Sequence, residues 1–148
     1  MATQVINSDT IKLLRECSAG IKMGIESIDE VLPDVKNDEL RAILERCKRE
    51  HEQLDGETRD ILNDYGDSGK EPPAVASGMS WLKTTFKLTV DPSDATVADL
   101  ITDGCDMGVK SIRRYLNQYA AAEEKVKQIA DRLIVTEEKA QENIKKFL

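Results

Sequence analysis

The sequence predicts an all-α four-helix bundle assembled from two copies of one helical hairpin. Two observations carry that prediction. The first is an internal repeat. GIKMGIESIDEVL at residues 20–32 returns as GCDMGVKSIRRYL at residues 104–116, with Gly, Met, Gly, Ser, Ile and Leu in the same places. A weaker match follows in the same order, from ILERC (43–47) to IADRL (129–133). The offset is 84 residues for the first match (20 to 104) and 86 for the second (43 to 129), which implies a slightly longer second turn. Recurrence of this kind marks one supersecondary unit used twice. The second observation is the apolar spacing of three and four residues along four long segments, which places the apolar side chains on one face of each helix.

Helix 1 is predicted to start near Ser8, a good N-cap, and to stop before Pro33. Its stripe is Ile11, Leu14, Ser18, Ile21, Ile25, Ile28 and Leu32. Helix 2 begins after Asn37 and runs to about Tyr65, where Gly66 supplies a stop; its stripe is Leu40, Leu44, Cys47, His51, Leu54, Thr58 and Ile61. Helix 3 is expected to be capped by Asp91, with Pro92 in the first turn and Asp94 three residues after the cap. Its expected stripe is Val97, Ile101, Gly104, Gly108, Ser111/Ile112 and Tyr115. Helix 4 follows a turn within 117–122 and carries Val126, Ile129/Ala130, Leu133, Glu137, Ala140, Ile144 and Phe147 inward.

Hairpin one thus covers 8–66 and hairpin two 91–148, in a single domain of a size that can bury its own core. Between them, 67–90 reads as a crossover: SGKEPP is loop by composition, and the stretch around Trp81 and Phe86 reads as a short amphipathic helix at 79–88. That helix could plug one end of the bundle or form an exposed contact strip. If the two copies are related by a two-fold axis, helices 2 and 3 run parallel and the link must traverse the bundle. About 24 residues suffice, at roughly 3.3 Å each when extended. This is the single long crossover of one class of four-helix bundle.

Composition excludes several functions. The formal net charge is −7, which repels a phosphate backbone, and no dense Lys/Arg stripe offsets it, so nucleic acid is not an expected partner. Lys145 and Lys146 read as complements to a helix dipole. No apolar run approaches the roughly 20 residues of a membrane span. Cys17, Cys47 and Cys105 give an odd count without CxxC spacing, which argues against a disulfide framework or a zinc knuckle. The start, MATQVINSDT, lacks a basic region followed by an apolar core and is not read as a signal peptide, so a cytoplasmic location is expected.

Two polar residues interrupt the inward stripes. His51 lies mid-stripe in helix 2 and Glu137 mid-stripe in helix 4, and the offset of 86 superposes one on the other. Glu50 and Glu138 flank them. Three readings stand: a buried His–carboxylate hydrogen bond that fixes register, a rotated helix that turns one of the two to solvent, or a metal site that adds further carboxylates such as Asp106. Burial without a partner would cost more than a bond returns, so pairing is the minimum expectation. Gly20, Gly24, Gly104 and Gly108 each cost up to about 1 kcal/mol of helix propensity, which suggests close approach of helices 1 and 3 or a groove for an apolar ligand beside Gly24 and Gly108. The cysteines read as small core hydrophobes, and Tyr115 and Tyr119 as core and rim.

The double hairpin, the crossover and the helix-2 text LERCKREHEQL resemble the ferritin-like superfamily, in particular the small uncharacterised bacterial ferritin-like families with paired hairpins. The resemblance covers residues 8–148. It implies a bundle in which helices 1 and 3 each supply a Glu and helices 2 and 4 each supply Glu-x-x-His to a metal pair. This sequence departs from that set: Lys48 precedes His51 by three, Ala140 follows Glu137 by three, Glu26 aligns with Lys110, and Asp106 aligns with Lys22. The expected function is therefore a non-catalytic binding or interaction protein, dimeric or with a protein partner, and with no cofactor. The alternative is a degenerate iron, manganese or zinc site at His51 and Glu137 with Glu50, Glu138 or Asp106.

Overall fold

The computed structural model describes residues 8–67 and 90–148, and the regular structure in them is helical. Four long helices form a bundle: α1 (Ser8–Val31), α2 (Asp38–Asp64), α3 (Asp94–Gln118) and α4 (Glu124–Ile144). Single 3-10 turns, Leu32–Asp34 and Lys145–Phe147, follow α1 and α4. The expected helix at 79–88, with Trp81 and Phe86, lies outside the described residues.

The helix ends follow local chemistry. Pro33 stops α1, and the Asn37 side chain accepts hydrogen bonds from the backbone N–H groups of Glu39 and Leu40 to open α2. Asn37→Ala should therefore cost about 1 kcal/mol, read from the urea midpoint. At the far end Gly66 takes φ +67°. The Asp67 N–H bonds the Leu62 carbonyl and the Gly66 N–H bonds that of Asn63, the paired bonds of a Schellman stop that favours glycine.

The start of α3 differs from expectation. Ser93, not Asp91, is its cap, and its hydroxyl accepts from the Thr96 N–H. Asp91 instead accepts the Thr96 hydroxyl, and Pro92 lies before the helix rather than in its first turn. Asp94 is turned outward to the other hairpin, where its carboxylate accepts the backbone N–H groups of Lys36 and Asn37. The opposite end of the bundle has a matching contact. Near the start of α1, Asp9 accepts the Ala121 N–H and Thr10 accepts the Glu123 N–H. Each hairpin's first helix thus holds the turn of the other hairpin.

These contacts fix direction. The start of α1 meets the α3–α4 turn and the start of α3 meets the α1–α2 turn, so α1 and α3 are antiparallel. The α2–α4 seam is also antiparallel: Glu39 bonds Lys146, Glu57 bonds Arg132 through both oxygens, and Tyr65 bonds Glu123. Helices α2 and α3 therefore run the same way. Asp67, paired with Arg15, lies towards the start of α1, whereas α3 begins at the opposite end. Residues 68–89 join those two ends.

The core is divided. One apolar cluster contains Ile28, Val31, Leu40, Leu44, Cys47, Val97, Ile101, Cys105, Ala140 and Ile144. The other contains Leu13, Leu14, Cys17, Ile21, Leu54, Leu62, Ile112, Val126, Ala130 and Leu133. Along every helix one level separates the two, and it is occupied by Gly24, His51, Gly108 and Glu137. Helix α3 buries Val97, Ile101 and Ile112 of its predicted face, and the buried face extends to neighbouring residues. Ala98, Thr102 and Cys105 are buried, while Gly104 is exposed, with nothing within 4 Å of where a Cβ would stand. No helix among the described residues is long and apolar enough to cross a membrane.

Candidate functional site

The level between the two clusters holds the polar pair. His51 is 1% exposed, and its Nε2 lies 2.6 Å from Oε1 of Glu137, whose side chain is 12% exposed. On the other edge of the ring Nδ1 lies 2.8 Å from the Cys47 carbonyl oxygen, one helical turn back, with the Cys47 Sγ 3.6 Å away. Both ring nitrogens thus have a protein partner.

Burial opposes a charge on this ring, but the contacts with Cys47 and Glu137 and the negative charge of Glu137 outweigh it. The His51 pKa is pushed up to about 10. At neutral pH the ring is an imidazolium, with Nδ1–H donating to the Cys47 carbonyl and Nε2–H to Glu137. A folded pKa above the unfolded value of 6.5 adds stability that is complete below pH 6.5 and lost as pH rises through about 10. The wild-type chain should lose stability across that window relative to the double variant His51→Leu/Glu137→Leu, as read by urea unfolding at a series of pH values.

The glycines explain how the ring fits. A Cβ at Gly24 would sit 2.7 Å from His51 Nε2 and 2.8 Å from Cδ2, well inside van der Waals contact. A Cβ at Gly108 would meet the Glu137 carboxyl at 3.8 Å, an ordinary contact, and one at Gly20 would touch Ile112 and Leu133. Helices α1 and α3 do pack together, with Gly20 facing Ile112, but the glycines at the central level serve side chains of the other two helices. Gly24 makes room for an imidazole from α2, Gly108 faces a carboxylate from α4, and Gly104 makes room for nothing. The space beside Gly24 and Gly108 that could have held an apolar ligand is filled by His51 and Glu137.

Cys105 is buried, as expected of a small core hydrophobe, although it lies beside the predicted stripe of its helix. Its buried thiol lies against the Glu137 carboxylate. Burial first, then the charge and hydrogen bond of Glu137, push it well above the usual thiol range. Cys17 is buried too, which with the Glu16 charge raises it to about 12. All three cysteines are free. Native protein should resist alkylation at Cys17 and Cys105 at about pH 8 and react fully once unfolded, as mapped by peptide mass spectrometry.

The remaining predicted site residues do not join the pair. Glu50 is held by Lys139 at 3.7 Å, and Glu138 by Arg113 at 3.4 Å. Asp106 is exposed and accepts from the Gln141 amide. Among the described residues, no three His, Cys, Asp or Glu side chains are placed to hold one metal ion. The residues present do not fit the metal pair that the ferritin-like resemblance implies. Tyr115 and Tyr119, expected as core and rim, stack on each other 6.1 Å apart and are both half-buried.

Compared with protein-family models, with curated proteins and with solved structures, the chain matches none.

Proposed function

We propose that this chain is a ferritin-like bundle that works as a non-catalytic binding or interaction protein, in the cytoplasm, as a homodimer or with a protein partner. The ferritin-like assignment is supported by the parallel course of α2 and α3 and by the reciprocal contacts of Asp9 and Asp94. Descent from a duplicated hairpin is supported by the matched places of Gly24 with Gly108 and of His51 with Glu137.

One observation carries the non-catalytic reading. The chain has a single histidine, and both of its ring nitrogens are engaged by internal partners. A di-iron centre needs a histidine from each of two helices, which one histidine cannot supply. The level between the two apolar clusters is filled by a hydrogen-bonded pair. The alternative reading, a single iron, manganese or zinc ion, rests on the meeting of His51 Nε2 and Glu137 Oε1 from two different helices.

Metal content measured by mass spectrometry separates the two readings. Protein is purified without chelator and measured again after anaerobic Fe(II), Mn(II) or Zn(II) loading. Substoichiometric metal throughout is expected. A stoichiometric ion that disappears in His51→Ala would establish the metal-binding alternative instead.

A further inference from the structure

Charge along α3 is segregated. Its first half carries Asp94, Asp99, Asp103 and Asp106 and no cation, and its second half carries Lys110, Arg113 and Arg114 and no anion. A helix dipole accounts for the acidic start. It does not account for the basic stretch, because Lys110 lies two turns before the helix end and the dipole's effect fades within the last turn.

Those cations do not point to scattered places. Residues 110, 113/114 and 117 recur at helical spacing on one stripe, and that stripe forms a wall of an open cleft of about 600 Å³ between α3 and α4. Asn117 and Gln141 add amide groups to the same cleft, and Val109 adds an apolar patch. Its two carboxylates are already engaged, Glu138 by Arg113 and Asp106 by the Gln141 amide. Neither Lys110 nor Arg114 makes an ion pair with a described residue. In a molecule of net charge −7, two neighbouring cations without carboxylate partners line this shallow, open groove.

We propose that this cleft is a binding site for a small soluble phosphate-bearing anion. Lys110 supplies a point charge, Arg114 a planar two-pronged donor, and Asn117 an amide donor to the outer oxygens. Arg113 stays with Glu138 at 3.4 Å and neutralises that carboxylate beside the anion. The acidic remainder of the chain disfavours an anionic membrane surface, which would have to approach the whole molecule, whereas a small solute meets only the cleft. The site is remote in kind from the His51–Glu137 pair, so it stands or falls separately from the metal question.

The test uses the full chain and inorganic pyrophosphate, titrated at about physiological ionic strength and followed by amide NMR. Shifts should concentrate on residues 106–117 and 138–141. The double variant Lys110→Gln/Arg114→Gln should weaken the dissociation constant by at least about tenfold. Arg46→Gln/Arg49→Gln, which removes two exposed cations from α2, should leave it unchanged. Vesicles containing phosphatidic acid serve as a second arm and should not bind. Shifts spread evenly over the surface cations, equal weakening in both double variants, or binding to the vesicles but not to pyrophosphate would each overturn the proposal.

Discussion

His51→Ala is expected to destabilise the bundle by about 3–5 kcal/mol, read from the shift of the urea midpoint at unchanged slope. Two losses add. The imidazole leaves a cavity between two apolar clusters, and Glu137, 12% exposed, remains as a carboxylate without its counter-charge. The double variant His51→Leu/Glu137→Leu should recover most of that loss, because replacing both members of a buried pair by apolar groups is often close to neutral. Such a recovery marks the single-variant loss as the cost of an orphaned charge rather than the net worth of the bond. If the double variant were as unstable as His51→Ala, the level would depend on the pair itself.

The second large effect is expected at Gly24. Alanine should raise helix propensity by about 1 kcal/mol, and on that ground alone Gly24→Ala would stabilise. The added methyl would instead lie 2.7 Å from His51 Nε2. The ring is tied at both nitrogens and packed on both sides, so it cannot swing aside without breaking a bond. A net loss of about 2–4 kcal/mol is expected, combining overpacking with disruption of the pair. Gly104→Ala is the control: nothing lies within 4 Å of its Cβ position, and it should gain up to about 1 kcal/mol. In the presence of His51→Ala the Gly24→Ala cost should largely vanish, since the methyl then enters space the ring has left. That non-additivity distinguishes a steric conflict with the ring from a general fault in α1.

The helices and their ends were largely legible in the sequence because Asn37, Pro33 and Gly66 act through their nearest neighbours. Asp91 misled because two hydroxyls, Ser93 and Thr96, lie within reach of the same helix start, and Ser93 takes the cap while Asp91 bonds Thr96. The opposition of His51 and Glu137 was legible because the repeat offset superposes them. Their three supposed companions were not. Adjacent residues on a helix point about 100° apart, which carries Glu50 and Glu138 off the inner face to Lys139 and Arg113. The full width of the buried face of α3 was less legible, because Ala98, Thr102 and Cys105 lie beside the predicted stripe and are buried with it. Gly24 was read as a contact between α1 and α3, since propensity reports the cost of a glycine without naming the side chain that needs the space.

A charged His51–Glu137 pair closes the level between the two apolar clusters. The nitrogen-15 spectrum of the single imidazole tests this most directly, followed across neutral to alkaline pH and repeated with Zn(II) added. Both ring nitrogens should stay protonated through neutral pH, lose a proton only as the pH approaches about 10, and remain unmoved by Zn(II). A ring that is neutral at pH 7, or whose Nε2 resonance shifts when one equivalent of Zn(II) is added, would contradict the account.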